Sequence, residues 1–227
     1  MISGIALALK TLKPSVKVFG VTVDQTPGML ELKKGLPLSA RKFIATIADG
    51  IAIKQPSTEM FQAYINQYVD DIVEVTDEEI AQAIVYLLEA EKSVVEGSGA
   101  AGVAAVLNDK IKLSGPTCIV LCGGNIDLNL VTSVIDTGLL KQGRMARIST
   151  IVNDLPGALA KMTKLFAEGG ANVIDVVHDR VSPELNVRQT RIDFHVETLG
   201  NDHIRSLVKS LKKAGIKILE SKDGELQ

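Results

Sequence analysis

Apolar positions in the first 140 residues follow two alternating rhythms. Ile2, Ile5, Leu9 and Leu12 recur at three- and four-residue spacing and predict a helix over residues 2–12, stopped by Pro14. Val16 to Val23 is a continuous β-rich run, the mark of a buried strand. Residues 27–37 are mixed, and Ile47 to Ile53 reads as a short strand or a loop near Gly50. Ser57 is placed to cap a helix over 58–68 with Phe61 and Ile65 inward. Asp71 to Val75 is a second apolar strand. Thr76-Asp77-Glu78-Glu79 has the form of a capping box and opens a helix to about Glu91 that carries Ile80, Ile84, Leu87 and Leu88. An Ala-rich helix follows from Ala100 to about Leu107. Then come an apolar strand, Thr117 to Leu121, a glycine turn, and a helix from near Asp127 towards Leu139. Strands apolar on both faces that alternate with helices predict an α/β fold with a parallel sheet covered by helices.

The rhythm changes at Lys141-Gln142-Gly143-Arg144, which reads as a linker. Met145 to Val152 is partly alternating and strand-like. Asn153 to Gly157 is a loop into a helix from Ala158 to Glu168, ended by Gly169-Gly170. Asn172 to His178 and Thr190 to Thr198 read as strands. Asn201 or Asp202 is placed to cap a helix through Ala214, and Ile216 to Leu219 closes the order. The result is β-α-β-β-α-β, a ferredoxin-like arrangement. The reading gives a first domain over 1–140 and a second over 144–222. Ser221 to Gln227 is polar and expected to fray.

Composition narrows the function classes. The 227 residues are 46% hydrophobic and 23% charged, with a net charge of −2, ordinary for a globular chain. The first domain is acid-rich and the second base-rich, but neither excess points to nucleic acid or to a membrane surface. No apolar run reaches the roughly 20 residues of a membrane span. Met1 to Leu9 lacks the basic flank of a signal peptide. On the strand read for them, Cys118 and Cys122 lie about 13 Å apart, beyond the roughly 7 Å a disulfide tolerates. Free thiols and a cytoplasmic location are therefore expected.

Few local patterns carry chemistry. Gly97-x-Gly99-x-x-Gly102 has dinucleotide spacing, but the segment before it reads as a helix end, and no acidic residue ends the next strand. Close helix packing through small residues explains it as well. All three histidines, His178, His195 and His203, lie in the second domain and give no catalytic triad with a serine and an aspartate. No C-x-x-C or H-E-x-x-H pattern suggests a transition metal. Cys122-Gly123-Gly124-Asn125 is the most informative turn. It ends a buried parallel strand, where ligands bind in open α/β sheets, and its glycines admit a ring or a phosphate close to the backbone. The bland alternative is a tight strand-to-helix turn.

Four runs taken in order resemble the threonine ammonia-lyases (threonine dehydratases). They are Ile47-Ala48-Asp49-Gly50-Ile51-Ala52-Ile53-Lys54, Tyr68-Val69-Asp70-Asp71-Ile72-Val73, Glu96-Gly97-Ser98-Gly99-Ala100-Ala101-Gly102-Val103-Ala104-Ala105, and Val120-Leu121-Cys122-Gly123-Gly124-Asn125-Ile126-Asp127-Leu128. Asp154-Leu155-Pro156-Gly157-Ala158-Leu159 and Gly170-Ala171-Asn172-Val173 resemble an ACT regulatory domain. The resemblance covers nearly the whole chain. It implies part of a fold type II (tryptophan synthase β-like) domain that uses pyridoxal 5'-phosphate, followed by an ACT domain. The implied reaction is the carbon–nitrogen lyase conversion of L-threonine to 2-oxobutanoate and ammonia.

The resemblance also implies roles. The group at position 122 touches the cofactor's pyridine nitrogen, and a thiol there does not protonate it, which suits β-elimination. Gly123, Gly124 and Asn125 shape the same pocket, with Glu96 and Gly50 lining it. Asp154, Leu155, Gly157 and Asn172 are the implied effector contacts, with isoleucine or valine as effector and homo-oligomers formed through the ACT domain. The family's Schiff-base lysine, in a Ser-x-Lys-x-Arg-Gly context, and its phosphate loop lie before the stretch matched at Met1-Ile2-Ser3-Gly4. No catalytic residue is therefore assigned, and the chain alone is expected to be inactive. Apolar surface at 16–21, 72–75 and 119–121 is expected to be incompletely covered. Where relatives carry a cation-binding Glu, this chain has Thr22. No metal is assigned, Asp24 being a weak substitute. Three readings stay open: the C-terminal part of a threonine or serine dehydratase, one half of a split enzyme with its N-terminal half on another chain, and a non-catalytic amino-acid-binding fragment.

Overall fold

The computed structural model describes residues 1–38, 45–181 and 185–219. The chain divides into two compact units, Met1–Ile135 and Asp136–Gln227.

In the first unit, α1 (Ile2–Leu12) packs Ala6 inward, and the Lys13 N–H closes its last turn on the Leu9 carbonyl before Pro14. β1 (Phe19–Val23) and β2 (Asp71–Val75) pair in parallel, with Phe19 opposite Asp71 and Val23 opposite Val75. The crossover between them contains α2 (Gly28–Lys33), a 3-10 turn (Asp49–Ile51) and a continuous helical rod. The rod is α3 (Thr58–Met60), a π-helical turn over Phe61–Ile65 and α4 (Asn66–Tyr68). The Ser57 hydroxyl caps the rod by accepting the Met60 N–H at 3.1 Å. Lys33 closes its other end, donating to the Asn66 and Val69 carbonyls. These elements enclose a small core of Ala6, Val18, Leu30, Phe61, Ile65, Val69 and Ile72. Asp70 ties the strand entry to α1, accepting from the Val18 N–H at 2.7 Å and from Lys10.

α5 (Asp77–Tyr86) starts with both halves of the capping box in place. The Thr76 hydroxyl accepts the Glu79 N–H, and the Glu79 carboxylate accepts the Thr76 N–H. The helix runs on through a π-helical turn, Leu87–Glu91, and stops at Lys92 in a left-handed conformation. α6 (Gly97–Leu107) lies against α5, with Ala100, Ala101, Ala104 and Ala105 buried where the two approach. α7 (Leu128–Lys141) contains the division between the units.

Three expectations change. The Ala-rich helix starts at Gly97 rather than Ala100, because Glu96 has the extended backbone of an N-cap. Thr117–Leu121 forms no strand. Nothing among the described residues pairs with it as a ladder, and Val120 and Leu121 stay 49% and 42% exposed. By contrast Val18, Ile72 and Val75, in stretches expected to be incompletely covered, are buried.

The second unit has the expected β-α-β-β-α-β order: β3 (Met145–Asn153), α8 (Ala158–Glu168), β4 (Asn172–Asp179), β5 (Gln189–Glu197), α9 (Asn201–Lys213) and β6 (Lys217–Leu219). The strands lie β4-β5-β3-β6, all antiparallel, the ferredoxin-like topology. Alternation puts Ile148, Ile192, Phe194 and Val196 on one face, where Met162 and Phe166 of α8 and Leu207 and Leu211 of α9 cover them. The Phe166 and Phe194 rings sit 4.6 Å apart, tilted by 44°. Neither Asn201 nor Asp202 caps α9; Gly200 holds the N-cap position without a side-chain bond. His203 locks the neighbouring turns instead. Its Nδ1 accepts the Leu199 N–H at 3.0 Å, so Nε2 carries the proton and donates to the Gly169 carbonyl at 2.7 Å. Ser221 to Gln227 lies outside the described residues.

Candidate functional site

Three segments of the first unit meet at the N-terminus of α6. The Glu96 N–H donates to the Gly123 carbonyl at 3.1 Å. Gly123 has φ +81°, and a Cβ there would lie 2.1 Å from the Glu96 Cδ. The glutamate therefore fills the space a side chain at 123 would need. A Cβ on Gly99 would sit 1.9 Å from the Cys122 carbonyl oxygen, and one on Gly97 2.1 Å from the Ile47 carbonyl oxygen. Gly50 closes over the same place, its missing Cβ being 2.8 Å from the Ser98 Oγ and 3.7 Å from a Glu96 carboxylate oxygen. The cradle is thus built by backbone pressed on backbone, which only glycines permit. Inside it the Ser98 Oγ is buried without a hydrogen-bond partner among the described residues. A buried, unpaired hydroxyl costs free energy and marks a place for a polar ligand atom.

The second unit has a cavity of about 390 Å³ at the start of α8. Asp154, Leu155, Pro156 and Gly157 line it from the loop after β3, His178 and Arg180 from the end of β4, and Thr190 and Ile192 from β5. Arg180 Nε donates to Asp154 Oδ2 at 2.8 Å across it. That hydrogen bond, opposed by desolvation and helped by the charges of Arg180 and His178, holds the Asp154 carboxyl below its ordinary value. Asn172 stands at the opposite end of β4, where its amide donates to Glu197 Oε2 at 2.8 Å.

The family model for pyridoxal-phosphate dependent enzymes matches residues 1–123. The chain belongs to this family. L-threonine ammonia-lyase of Thermotoga maritima is 41% identical over 96% of the chain, and that of Geobacter sulfurreducens 40% over 95%, each match covering 54% of the relative. The chain therefore spans about half the length of the curated relatives it matches. Among solved structures, a T.th. threonine deaminase aligns over 56% of this chain and 46% of its own, with a TM-score of 0.51 and 31% identity. Maize serine racemase aligns over 63% and 44%, with a TM-score of 0.50 and 29% identity. The first unit carries part of the fold type II arrangement of these pyridoxal-phosphate enzymes.

The cradle fits the cofactor of that family. It offers open space beside the Gly124 backbone for a ring, a Ser98 hydroxyl with no partner among the described residues for a polar atom, and the exposed thiol of Cys122 at its rim. Of the residues singled out in the sequence, Cys122, Gly123, Glu96 and Gly50 converge here. Gly124 has open space where a side chain would be, and Asn125 is exposed. Ser98 and Ile47 were missed in the sequence; the small-residue run Gly97-Ser98-Gly99 was the available signal. The dinucleotide-like glycines serve packing, with Gly102 against Ile119. Thr22 spends its hydroxyl on the Thr26 carbonyl at 3.0 Å, and the Asp24 N–H donates to the Val75 carbonyl. In the second unit Asp154, Leu155 and Gly157 share the cavity, while Asn172 does not reach it. His178 and Arg180 were not foreseen. No described helix is long and apolar enough to cross a membrane.

Proposed function

We propose that this chain forms the part of a pyridoxal-phosphate threonine ammonia-lyase that holds the nitrogen side of the cofactor ring, followed by an amino-acid-binding ACT unit. The reading rests on the glycine cradle around Glu96, Ser98 and Cys122, set within a chain 41% identical over 96% of its length to an L-threonine ammonia-lyase. Pyridoxal 5'-phosphate, when bound, is the electron sink for removal of an α-proton and loss of a β-hydroxyl. The chain's own residues position and tune. Gly124, with open space where a side chain would be, leaves room for a planar ring beside the backbone, while Gly97, Gly99 and Gly123 let the loops around it close on one another. The Cys122 thiol would meet the ring nitrogen without protonating it. The Ser98 hydroxyl and the Glu96 carboxylate would line the pocket that holds the ring. None of the 227 residues is a lysine in the Ser-x-Lys-x-Arg-Gly context, so these residues alone lack the family's covalent anchor for the cofactor. The expected outcome is no 2-oxobutanoate from L-threonine, or pyruvate from L-serine, with the purified chain and added cofactor. Turnover above a heat-killed control overturns the assignment of roles.

The cavity of the second unit favours a regulatory reading beside the catalytic one. Asp154 and the N–H groups at the start of α8 suit the ammonium and carboxylate of an amino acid, with Leu155, Leu159 and Ile192 for an aliphatic side chain. Isoleucine and valine are the proposed effectors, bound in homo-oligomers of this unit. Calorimetry of the full chain with isoleucine, valine and threonine tests it. Saturable heat lost in Asp154→Ala supports the site, and no heat with all three rejects it.

A further inference from the structure

The wall of the cradle that carries Gly50 has only a single 3-10 turn of regular structure to hold it. Residues 45–48 are irregular, and the 3-10 turn that follows is one turn long. A single carboxylate organises the segment. Asp77 accepts the Thr46 hydroxyl through Oδ1 and the Ile47 N–H through both oxygens, at 3.3 and 3.2 Å. The Thr46 Oγ1 in turn accepts the Ala48 N–H at 3.1 Å. Three consecutive residues are thus referred to one side chain.

Asp77 sits on a firm base. It is the first residue of α5, whose opening turn is already closed by the reciprocal bonds of Thr76 and Glu79. Its carboxylate is not consumed in capping and faces the neighbouring segment. The consequences pass to the cradle by contact. Ala48 is fully buried in the main core. The Ile47 carbonyl bears on Gly97, at the first turn of α6. Three residues on, Gly50 covers the Ser98 Oγ and approaches Glu96.

We propose that Asp77 is a positioning residue for the cofactor cradle: its carboxylate clamps Thr46, Ile47 and Ala48, and so sets the Ile47 carbonyl on Gly97 and Gly50 over Ser98. The clamp itself stands on the contacts above; its use in holding pyridoxal phosphate rests on the proposed function. Asp77 touches neither Ser98 nor Glu96 in this network and acts only through the loop.

Hydrogen exchange on the full 227-residue chain tests the clamp without any need for turnover. In Asp77→Ala the amides of 47–52 exchange at least about tenfold faster, while those of Ile80 to Tyr86 keep their wild-type rates. Thr46→Val, which keeps the shape and removes the hydroxyl, reproduces the effect, and Thr46→Ser restores wild-type exchange. The double variant Asp77→Ala, Thr46→Val exchanges no faster than either single one, since both remove the same network. Glu78→Gln, one residue along the same turn, changes nothing at 47–52. A purely structural role, through charge at the start of α5, gives the opposite pattern. Exchange then rises along α5, Glu78→Gln acts like Asp77→Ala, and Thr46→Val and Thr46→Ser behave alike. That pattern, or unchanged exchange at 47–52, overturns the clamp. The link to the cofactor is read separately, in the chain supplemented with the polypeptide carrying the family's lysine and phosphate loop. There Asp77→Ala raises the pyridoxal-phosphate dissociation constant about tenfold and shifts the bound cofactor's absorbance maximum. An unshifted spectrum and constant overturn the positioning role. A wild-type mixture that binds no cofactor overturns the proposed function, and the positioning role with it, whatever the exchange shows of the clamp.

Discussion

The two units make their concave sites in opposite ways. At the cradle in the first unit, side chains are absent where it matters: Gly97, Gly99 and Gly123 let carbonyls and a carboxylate come within distances that a Cβ would forbid. The cavity in the second unit is bounded by side chains that stand off one another, with Arg180 and Asp154 joined across it. The first kind of site tolerates almost no added atom, and its shape follows the backbone. The second can lose a side chain and keep its fold. The scaffolds differ in the same sense. Four antiparallel strands satisfy one another in the second unit, whereas the described part of the first has one parallel pair and leaves Thr117–Leu121 without a partner.

The largest effect is expected where that second scaffold is packed. Phe166 is fully buried against Phe194, so Phe166→Ala should cost about 3–5 kcal/mol. Loss of exchange protection confined to Asp136–Gln227 in denaturant titrations is the result to look for; an equal loss in Met1–Ile135 would show that the units do not fold separately.

Gly99→Ala comes next. Its methyl would lie 1.9 Å from the Cys122 carbonyl oxygen, a backbone atom that cannot rotate away. Overpacking of this kind costs about 3 kcal/mol and should expose Cys122 and its neighbours to faster exchange. Gly157→Ala, with open space around it but φ +86°, should cost only about 1 kcal/mol. If the two cost the same, the contrast between the sites fails.

His203→Ala removes the acceptor of the Leu199 N–H and the donor to the Gly169 carbonyl, for about 1–2 kcal/mol in the second unit. His203→Gln should recover part of it.

Acid should weaken both units alike. For Asp70, burial raises the carboxyl, but hydrogen bonds from Lys10 and Val18 and the charges of Lys10 and Lys17 outweigh it and hold it below 3.8. For Asp193, burial is likewise outweighed by hydrogen bonds from Arg191 and Ser149 and by the charges of Arg191 and Arg147. A depressed folded value means that the stabilisation is present above the unfolded value near 3.8. It is lost as pH falls through the folded one. Asp70→Asn should flatten this dependence in the first unit and Asp193→Asn in the second, read as midpoint against pH from about 5 to about 2. The smallest effect is at the cavity. Arg180→Ala should leave stability unchanged, since the pair is exposed, and let the Asp154 carboxyl return towards 3.8 in an NMR titration.

Much of this was legible in the order of residues because it is local. The capping box at Thr76, the Ser57 cap, the alternation along β5 and the β-α-β-β-α-β order each depend on neighbours a few positions away, through periods of about 3.6 and 2. The family was legible too, from four short runs, and the comparisons with known proteins show the same family. What only the tertiary structure decided depends on partners far along the chain. Thr117–Leu121 has the composition of a strand, but a strand exists only where a second one accepts its ladder. Asn172 shares its motif with a neighbouring glycine, yet the length of β4 separates it from Asp154. Ser98 and Asp77 are ordinary residues in an ordinary order. They matter because folding buries the Ser98 hydroxyl beside Gly50 and brings the Asp77 carboxylate to Thr46, 31 positions away. No periodicity encodes such pairings, because they are set by how whole elements pack.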